Sequence, residues 1–205
     1  MTLPPLKLRV AARKRRVLDF DIENRPLSYL GSDFTTGEVT AVAWAWCDRP
    51  DDVTVHLLRS WGGLPQILRA FVDVYNQADL VTGHYITAHD LPMINGALME
   101  CGLPLLGEKL VQDTKNDLPR IKGLSKSQEN LAAMFGLRHP KHSMNAAQWR
   151  AANRLTPEGL ELVRERVVAD VRQHMELRQH LLASGYLSAP RVWDPGVAKL
   201  EPYTP

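Results

Sequence analysis

The chain has 205 residues, 44% of them apolar, a formal net charge of +2 and only two cysteines, Cys47 and Cys101. This length and composition suit one full-size globular domain. No apolar run approaches the roughly 20 residues that a membrane-spanning helix needs, which argues against a membrane protein. The N-terminus lacks the hydrophobic region of a signal peptide, and two cysteines suggest neither a disulfide framework nor a metal framework. We therefore expect a soluble, cytoplasmic protein.

Basic residues are concentrated near the N-terminus. Residues 7–16 contain six of them and no acid: Lys7, Arg9, Arg13, Lys14, Arg15 and Arg16. Because Pro4 and Pro5 disfavour a helix, we interpret residues 1–15 as a basic arm ahead of the domain. Such an arm could guide a phosphate backbone toward an acidic site. A solvated arm without a binding role explains the same residues equally well.

Three strands are predicted in the first third of the chain. The first runs from about Arg16 to Glu23 and is broken by Asn24-Arg25-Pro26. Segments 38–46 and 53–58 are rich in β-forming residues and follow it as second and third strands. Together they predict an antiparallel meander.

Helices and strands then alternate. Apolar residues recur at helical spacing from Leu64 to Asn76, and 78–85 is typical of a short buried strand. A helix opens at Asp90-Leu91-Pro92 and runs to Gly102, and 110–114 is a fifth predicted strand. This order predicts an α/β domain with a mixed sheet flanked by helices.

The last part of the domain is predicted to be mainly helical. Ser125-Lys126-Ser127-Gln128 has the spacing of a capping box, with Ser125 as N-cap, for a helix that ends at Gly136. Residues 137–148 are predicted to be a polar loop. The longest helix begins at Thr156-Pro157 and ends near Gly185. Its apolar stripe is Leu160, Val163, Val167, Val171 and Met175.

These elements divide the chain into three parts. The basic arm covers 1–15, the α/β domain covers 16–185, and a Pro-rich tail covers 186–205. The tail contains four prolines and is expected to be extended.

Acidic residues alternate along the first strand. Asp19, Asp21 and Glu23 are two residues apart, so their side chains project from one face. Unpaired carboxylates on a buried strand are costly, and a divalent cation is the simplest compensation because hard cations bind carboxylate oxygens. The alternative is an edge strand with a solvated acidic face.

Two further acids lie at informative positions. Asp90 lies where a strand passes into a helix, a place where α/β sheets bind ligands; the alternative is an ordinary helix N-cap. Asp170 lies in the middle of the longest helix beside its apolar stripe, although Asp is a poor helix former. The alternative there is a solvated Asp paired with Arg166 or Arg172.

Four of these acids, Asp21, Glu23, Asp90 and Asp170, lie in three segments: Val17-Leu18-Asp19-Phe20-Asp21-Ile22-Glu23, then Gly83-His84 through Asp90-Leu91-Pro92, and Ala169-Asp170-Val171. This series resembles the DEDD (DnaQ-like) 3′–5′ exonuclease superfamily. Asp113-Thr114 and residues 125–131 also resemble the segment between its second and third motifs. The resemblance covers roughly residues 16–184.

The resemblance implies a ribonuclease H-like fold and two Mg²⁺ or Mn²⁺ ions bound by Asp21, Glu23, Asp90 and Asp170. It implies hydrolysis of phosphodiester bonds by a two-metal-ion mechanism. The resemblance also implies a role for each ligand. Asp21 would bridge the two ions, Glu23 and Asp170 would hold the ion on the side of the attacking water, and Asp90 would hold the other. On the same resemblance, Asp19 would face the site without being a ligand.

One position departs from the superfamily pattern. Members usually carry a His five residues, or a Tyr four residues, before the last Asp, to orient or deprotonate the attacking water. Here those positions hold Glu165 and Arg166, and Arg cannot act as a base at neutral pH. Candidates for the role are His174, His139 and His142, because the pKa of histidine suits it. The alternative is that all three are ordinary surface residues.

The sequence therefore predicts a metal-dependent 3′–5′ exonuclease that acts on single-stranded or frayed DNA. One alternative is a catalytically weak or inactive nucleic-acid-binding module on the same fold, suggested by Glu165 and Arg166. The other is an exoribonuclease, which shares the chemistry and differs in substrate. The expected partner is nucleic acid, with DNA favoured over RNA, and no membrane partner is expected.

Overall fold

The computed structural model of the protein describes residues 14–27, 35–59, 62–119, 121–139 and 142–196. Most of the predicted basic arm, residues 1–13, and the end of the tail, 197–205, lie outside these ranges. The described strands are β1 (Val17–Pro26), β2 (Gly37–Trp46), β3 (Thr54–Leu57), β4 (Leu80–Gly83), β5 (Lys109–Asp113) and β6 (Arg191–Trp193). The described helices are α1 (Leu64–Gln77), α2 (Asp90–Glu100), α3 (Gln128–Phe135), α4 (Ala146–Asn153) and α5 (Pro157–Ala183).

The six described strands form one mixed sheet in the order β3-β2-β1-β4-β5-β6. The antiparallel pairs β1–β2 and β2–β3 confirm the predicted meander. β4 and β5 extend the sheet in parallel from β1, and β6 returns antiparallel to β5. The predicted fold class, an α/β mixed sheet flanked by helices, is confirmed and is consistent with a ribonuclease H-like fold.

Alternation along β1 separates two environments. Its apolar residues are buried in a core that α1 and α2 complete, and Phe20 packs against Phe71 with ring centroids 4.9 Å apart. On the opposite side, α5 packs against the sheet over three alanines of β2: Ala41, Ala43 and Ala45. Small side chains there allow the helix to approach closely. The acidic face of β1 therefore lies toward α5.

The apolar stripe of α5 is largely as predicted. Four of its residues are buried against the sheet: Val163, Val167, Val171 and Met175. Leu160 is only half-buried at the edge of the same cluster. The N-cap is also as predicted, since the Thr156 side chain accepts a hydrogen bond from the Gly159 N–H.

The first strand is longer than the sequence predicted. Asn24, Arg25 and Pro26 continue β1 instead of breaking it, after a register shift between Glu23 and Asn24. The irregularity lets the strand continue, and Pro26, which cannot donate a ladder hydrogen bond, is its last residue. The prediction of a break after Glu23 was therefore wrong.

Two predictions in the helical part were also wrong. The N-cap of α3 is Ser127, which accepts a hydrogen bond from the Asn130 N–H, so Ser125 is not the cap. The polar segment 137–148 contains the start of α4, which Asn145 and Gln148 open with a reciprocal capping box. A polar composition hid this second capping signal.

The segment assigned to the tail contributes to the sheet. β6 pairs with β5, and Arg191 forms an ion pair with Asp117 at 2.9 Å. The Ser188 N–H also donates to the Asp117 carbonyl oxygen. In the described part of the chain, no helix has the length and apolar character needed to cross a membrane.

Candidate metal centre

Three carboxylates meet between β1 and α5. One carboxylate oxygen each from Asp21, Glu23 and Asp170 lies within 4.8 Å of the other two. Asp21 and Glu23 share a face of β1 because they are two residues apart, and α5 brings Asp170, 7% exposed, against that face. A group of oxygen ligands at this spacing suits a hard divalent cation.

Asp90 adjoins this group through a hydrogen bond with the backbone of β1. It is the first residue of α2 and is 3% exposed. Its Oδ1 accepts a hydrogen bond from the Ile22 N–H at 3.2 Å. The alternative of an ordinary N-cap does not apply, because the N-cap of α2 is His89.

The carboxyl groups of this cluster have strongly perturbed protonation. Burial raises the pKa of Asp21 well above its usual range, and the negative charges of Asp90, Asp170 and Glu23 raise it further. Burial also raises the pKa of Asp90, to about 7, although the hydrogen bond from Ile22 opposes this change. Burial and mutual repulsion therefore both disfavour full ionisation of these carboxyl groups.

The turn before α2 is fixed by Asp113, whose role the sequence did not predict. Its carboxylate accepts hydrogen bonds from the N–H groups of Tyr85 and Thr87 and from the Thr87 hydroxyl. It also accepts from the N–H groups of Lys115 and Asn116. These bonds lower the pKa of Asp113 despite its burial. A lone Asp at a strand end gives little signal for such a role.

The same turn requires a glycine. A Cβ added at Gly83 would lie 2.8 Å from the Phe20 carbonyl oxygen and 2.3 Å from Ile86 Cγ2. The absence of a side chain lets the end of β4 lie close to β1. Gly83 and Asp113 together therefore help to set where α2 begins and, with it, the position of Asp90.

Arg166 places a guanidinium among the acids. Its Nε donates to Glu23 Oε1 at 2.5 Å, and its Nη2 lies 3.5 Å from Asp170 Oδ2. Its Nη1 donates to the His142 carbonyl oxygen at 2.9 Å, and the guanidinium lies 5.1 Å from the centroid of the Trp149 ring. The pair between Arg166 and Asp170, which the alternative interpretation of Asp170 included, is present, but Asp170 is buried and joins the acidic group instead of being solvated. The bond to Glu23, 143 residues away in sequence, was not predicted.

The three histidines proposed as bases have other partners. His174 is 2% exposed, and its Nδ1 and Nε2 hydrogen-bond with Asp19 and Thr114 at 2.6 and 2.9 Å. His139 Nδ1 lies 2.8 Å from Glu176. His142 Nε2 lies 3.7 Å from Glu165 Oε2. The acidic group formed by the described residues contains no histidine.

Asp19 and His174 belong to a buried polar chain beside the acidic group. Thr114 Oγ1 contacts His174 Nε2 and also His84 Nδ1, each at 2.9 Å. Burial raises the pKa of Asp19, whereas the neighbouring His174 opposes that shift. Burial and the electrostatic influence of the neighbouring His174 lower the pKa of His84 to about 3. These hydrogen bonds connect β1, α5 and the ends of β4 and β5, and those elements together position Asp21 and Asp170.

Neither a family model nor a curated protein matches this sequence. Among solved structures, the chain is similar to the family B DNA polymerase from the hyperthermophilic archaeon Pyrobaculum calidifontis, with a TM-score of 0.61 and 18% identity. The match covers 82% of this chain and 25% of the polymerase chain. This chain thus spans about a quarter of that polymerase, and at this identity the similarity establishes a shared fold.

Proposed function

We propose that the protein is a metal-dependent 3′–5′ exonuclease that removes nucleotides from the 3′ end of DNA. The observation that carries this proposal is the meeting of Asp21, Glu23 and Asp170 on one face of β1, with Asp90 beside them. The order of these acids along the chain resembles the DEDD superfamily. The similar fold of a DNA polymerase favours DNA as the nucleic acid.

The four carboxylates are the candidate ligands for Mg²⁺ or Mn²⁺. Their ligand atoms are all oxygens, which hard cations prefer. The like charges that raise the pKa of Asp21 are also charges that a cation would offset. Divalent ions at such a site stabilise charge on the phosphodiester and lower the pKa of the attacking water.

Neighbouring residues hold these carboxylates in place. The Ile22 N–H orients Asp90, and the pair between Asp19 and His174 fixes α5 against β1 one helical turn from Asp170. Removal of a group that orients a ligand in this way commonly lowers metal affinity or activity by about 10–100-fold.

The test uses a 5′-labelled single-stranded DNA oligonucleotide with Mn²⁺ or Mg²⁺. We expect progressive shortening from the 3′ end, its loss in EDTA, and its loss in Asp21→Asn. Asp52→Asn is the matched control because Asp52 is an exposed acid in the turn before β3. A parallel RNA oligonucleotide distinguishes the exoribonuclease alternative. No shortening of any substrate with either ion would refute the proposal.

A second function is favoured by Arg166. Its guanidinium pairs with two of the four carboxylates and stands where a water-orienting residue is expected. A non-catalytic nucleic-acid-binding module would show salt-sensitive binding to the same oligonucleotide without cleavage. Cleavage that Asp21→Asn abolishes would exclude this second function.

A further inference from the structure

Arg166 contacts the same two carboxylates, Glu23 and Asp170, that would together hold one metal ion. We infer that its guanidinium is a built-in cation of this site, so that the protein binds one divalent ion where a site with two ions is expected. This inference rests on the proposed function, because it concerns the metal site of that reaction.

The contacts of Arg166 place its charge between the two acids. Nε donates to Glu23 Oε1 at 2.5 Å, and Nη2 lies 3.5 Å from Asp170 Oδ2. A divalent ion between these carboxylates would need oxygens at about 2.0–2.6 Å. The guanidinium therefore competes for the oxygens and for the space. Asp21 and Asp90 are the acids that remain for an ion.

Contacts on its other side hold Arg166 in this position. Nη1 donates to the His142 carbonyl oxygen, and the guanidinium lies over the Trp149 ring. The side chain is 14% exposed, compared with 41% for Arg164, which pairs with Glu161 at the surface. A metal ion that displaced the Arg166 guanidinium would break these contacts and move a charged group. The guanidinium is therefore expected to stay beside Glu23 and Asp170.

Charge balance favours the same conclusion. Two divalent cations would neutralise the four carboxylates by themselves, and the guanidinium, which stays protonated at any relevant pH, adds a further positive charge. Like charges a few ångströms apart repel strongly in a partly buried site. The free protein should therefore bind a second ion poorly while Arg166 is present.

The experiment counts Mn²⁺ ions bound per 205-residue chain, without nucleic acid, by isothermal titration calorimetry and by the EPR signal of free Mn²⁺. Arg166→Gln removes the charge, Arg166→Lys keeps it, and Arg164→Gln is the surface control on the same helix. We expect about one ion for wild type, Arg166→Lys and Arg164→Gln, and about two for Arg166→Gln. Asp21→Asn should lose the ion that wild type binds, which locates it at this site.

Each other outcome has a distinct meaning. About two ions in wild type would overturn the inference and leave the proposed function intact, whether or not Arg166→Gln folds. One ion in both wild type and a folded Arg166→Gln would also overturn it. No bound Mn²⁺ in any variant would overturn the inference together with the proposed metal site. Circular dichroism of each variant establishes that it is folded.

Discussion

Asp90 accepts a hydrogen bond from the backbone N–H of Ile22, 68 residues earlier in the chain. Ile22 lies between Asp21 and Glu23, so this bond attaches the start of α2 to the strand that carries these two acids. The consequence is a compromise between stability and function, because Asp90 brings a further negative charge to a buried acidic cluster.

Asp90→Asn should raise stability and lower activity. Its side-chain oxygen can still accept the Ile22 hydrogen bond, whereas the buried charge that raises the pKa of Asp21 is removed. In EDTA we expect a gain in the free energy of unfolding on the order of 1 kcal/mol, measured by urea denaturation. Nuclease activity should fall at least about tenfold because a metal ligand is lost.

Asp90→Leu is the companion variant. It leaves the Ile22 N–H without this acceptor and should cost about 1–3 kcal/mol. An Asp90→Asn protein that is less stable than wild type in EDTA, or fully active with Mn²⁺, would contradict this account of Asp90.

The buried pair between Asp19 and His174 should contribute strongly to stability. His174→Ala leaves the fully buried Asp19 carboxylate without its partner, which typically costs about 3–5 kcal/mol. Adding Asp19→Ala to that variant removes the unpaired group, so the double variant should lose less than the sum of the single losses. Additive losses in urea denaturation would show that the pair is not coupled.

Gly83 and Gly96 provide a matched comparison. Gly83→Ala places a Cβ against the Phe20 carbonyl oxygen and Ile86, so we expect a loss of about 1–3 kcal/mol. Gly96 lies inside α2 with nothing within 4 Å of an added Cβ. Gly96→Ala should therefore stabilise the protein by about 0.4–1 kcal/mol. Equal effects of the two substitutions on the melting temperature would contradict the close approach of β4 to β1.

Glu176 predicts an acid-dependent loss of stability. Its burial tends to raise its pKa, but hydrogen bonds from His139 and Arg138 outweigh burial and lower the pKa from 4.5 to about 2. A group whose pKa is lower in the folded protein stabilises the fold above the unfolded value and loses that contribution as pH falls. The stability difference between wild type and Glu176→Gln should therefore shrink between pH 4.5 and about 2. A difference that stays constant across this range, measured by urea denaturation, would contradict the assignment.

Local patterns predicted much of the fold and part of the candidate site. The period of two along β1 places Asp21 and Glu23 on one face whatever the rest of the chain does. The meander and α1 follow clear periodicity, and α5 combines an apolar stripe with the Thr156 N-cap. By contrast, Asn145 and Gln148 opened a helix inside a segment with a loop-like composition, and Ser125 competed with Ser127 as a plausible cap.

Long-range contacts were harder to predict. The spacing of Arg166 and Asp170 indicates a pair, but it does not indicate that the same guanidinium reaches Glu23 on another element. The partner of His174 is equally remote, since Asp19 is 155 residues away. These contacts depend on how α5 packs over the alanines of β2, which no local window contains.

The most direct test of the central claim is anomalous scattering from crystals of the 205-residue protein soaked in Mn²⁺. We predict an anomalous peak at the acidic cluster, within about 2.0–2.6 Å of carboxylate oxygens of Asp21 and Asp90, and its absence in crystals of Asp21→Asn. The claim that these acids form a metal centre would be contradicted if crystals soaked in saturating Mn²⁺ showed no anomalous peak among Asp21, Glu23, Asp90 and Asp170.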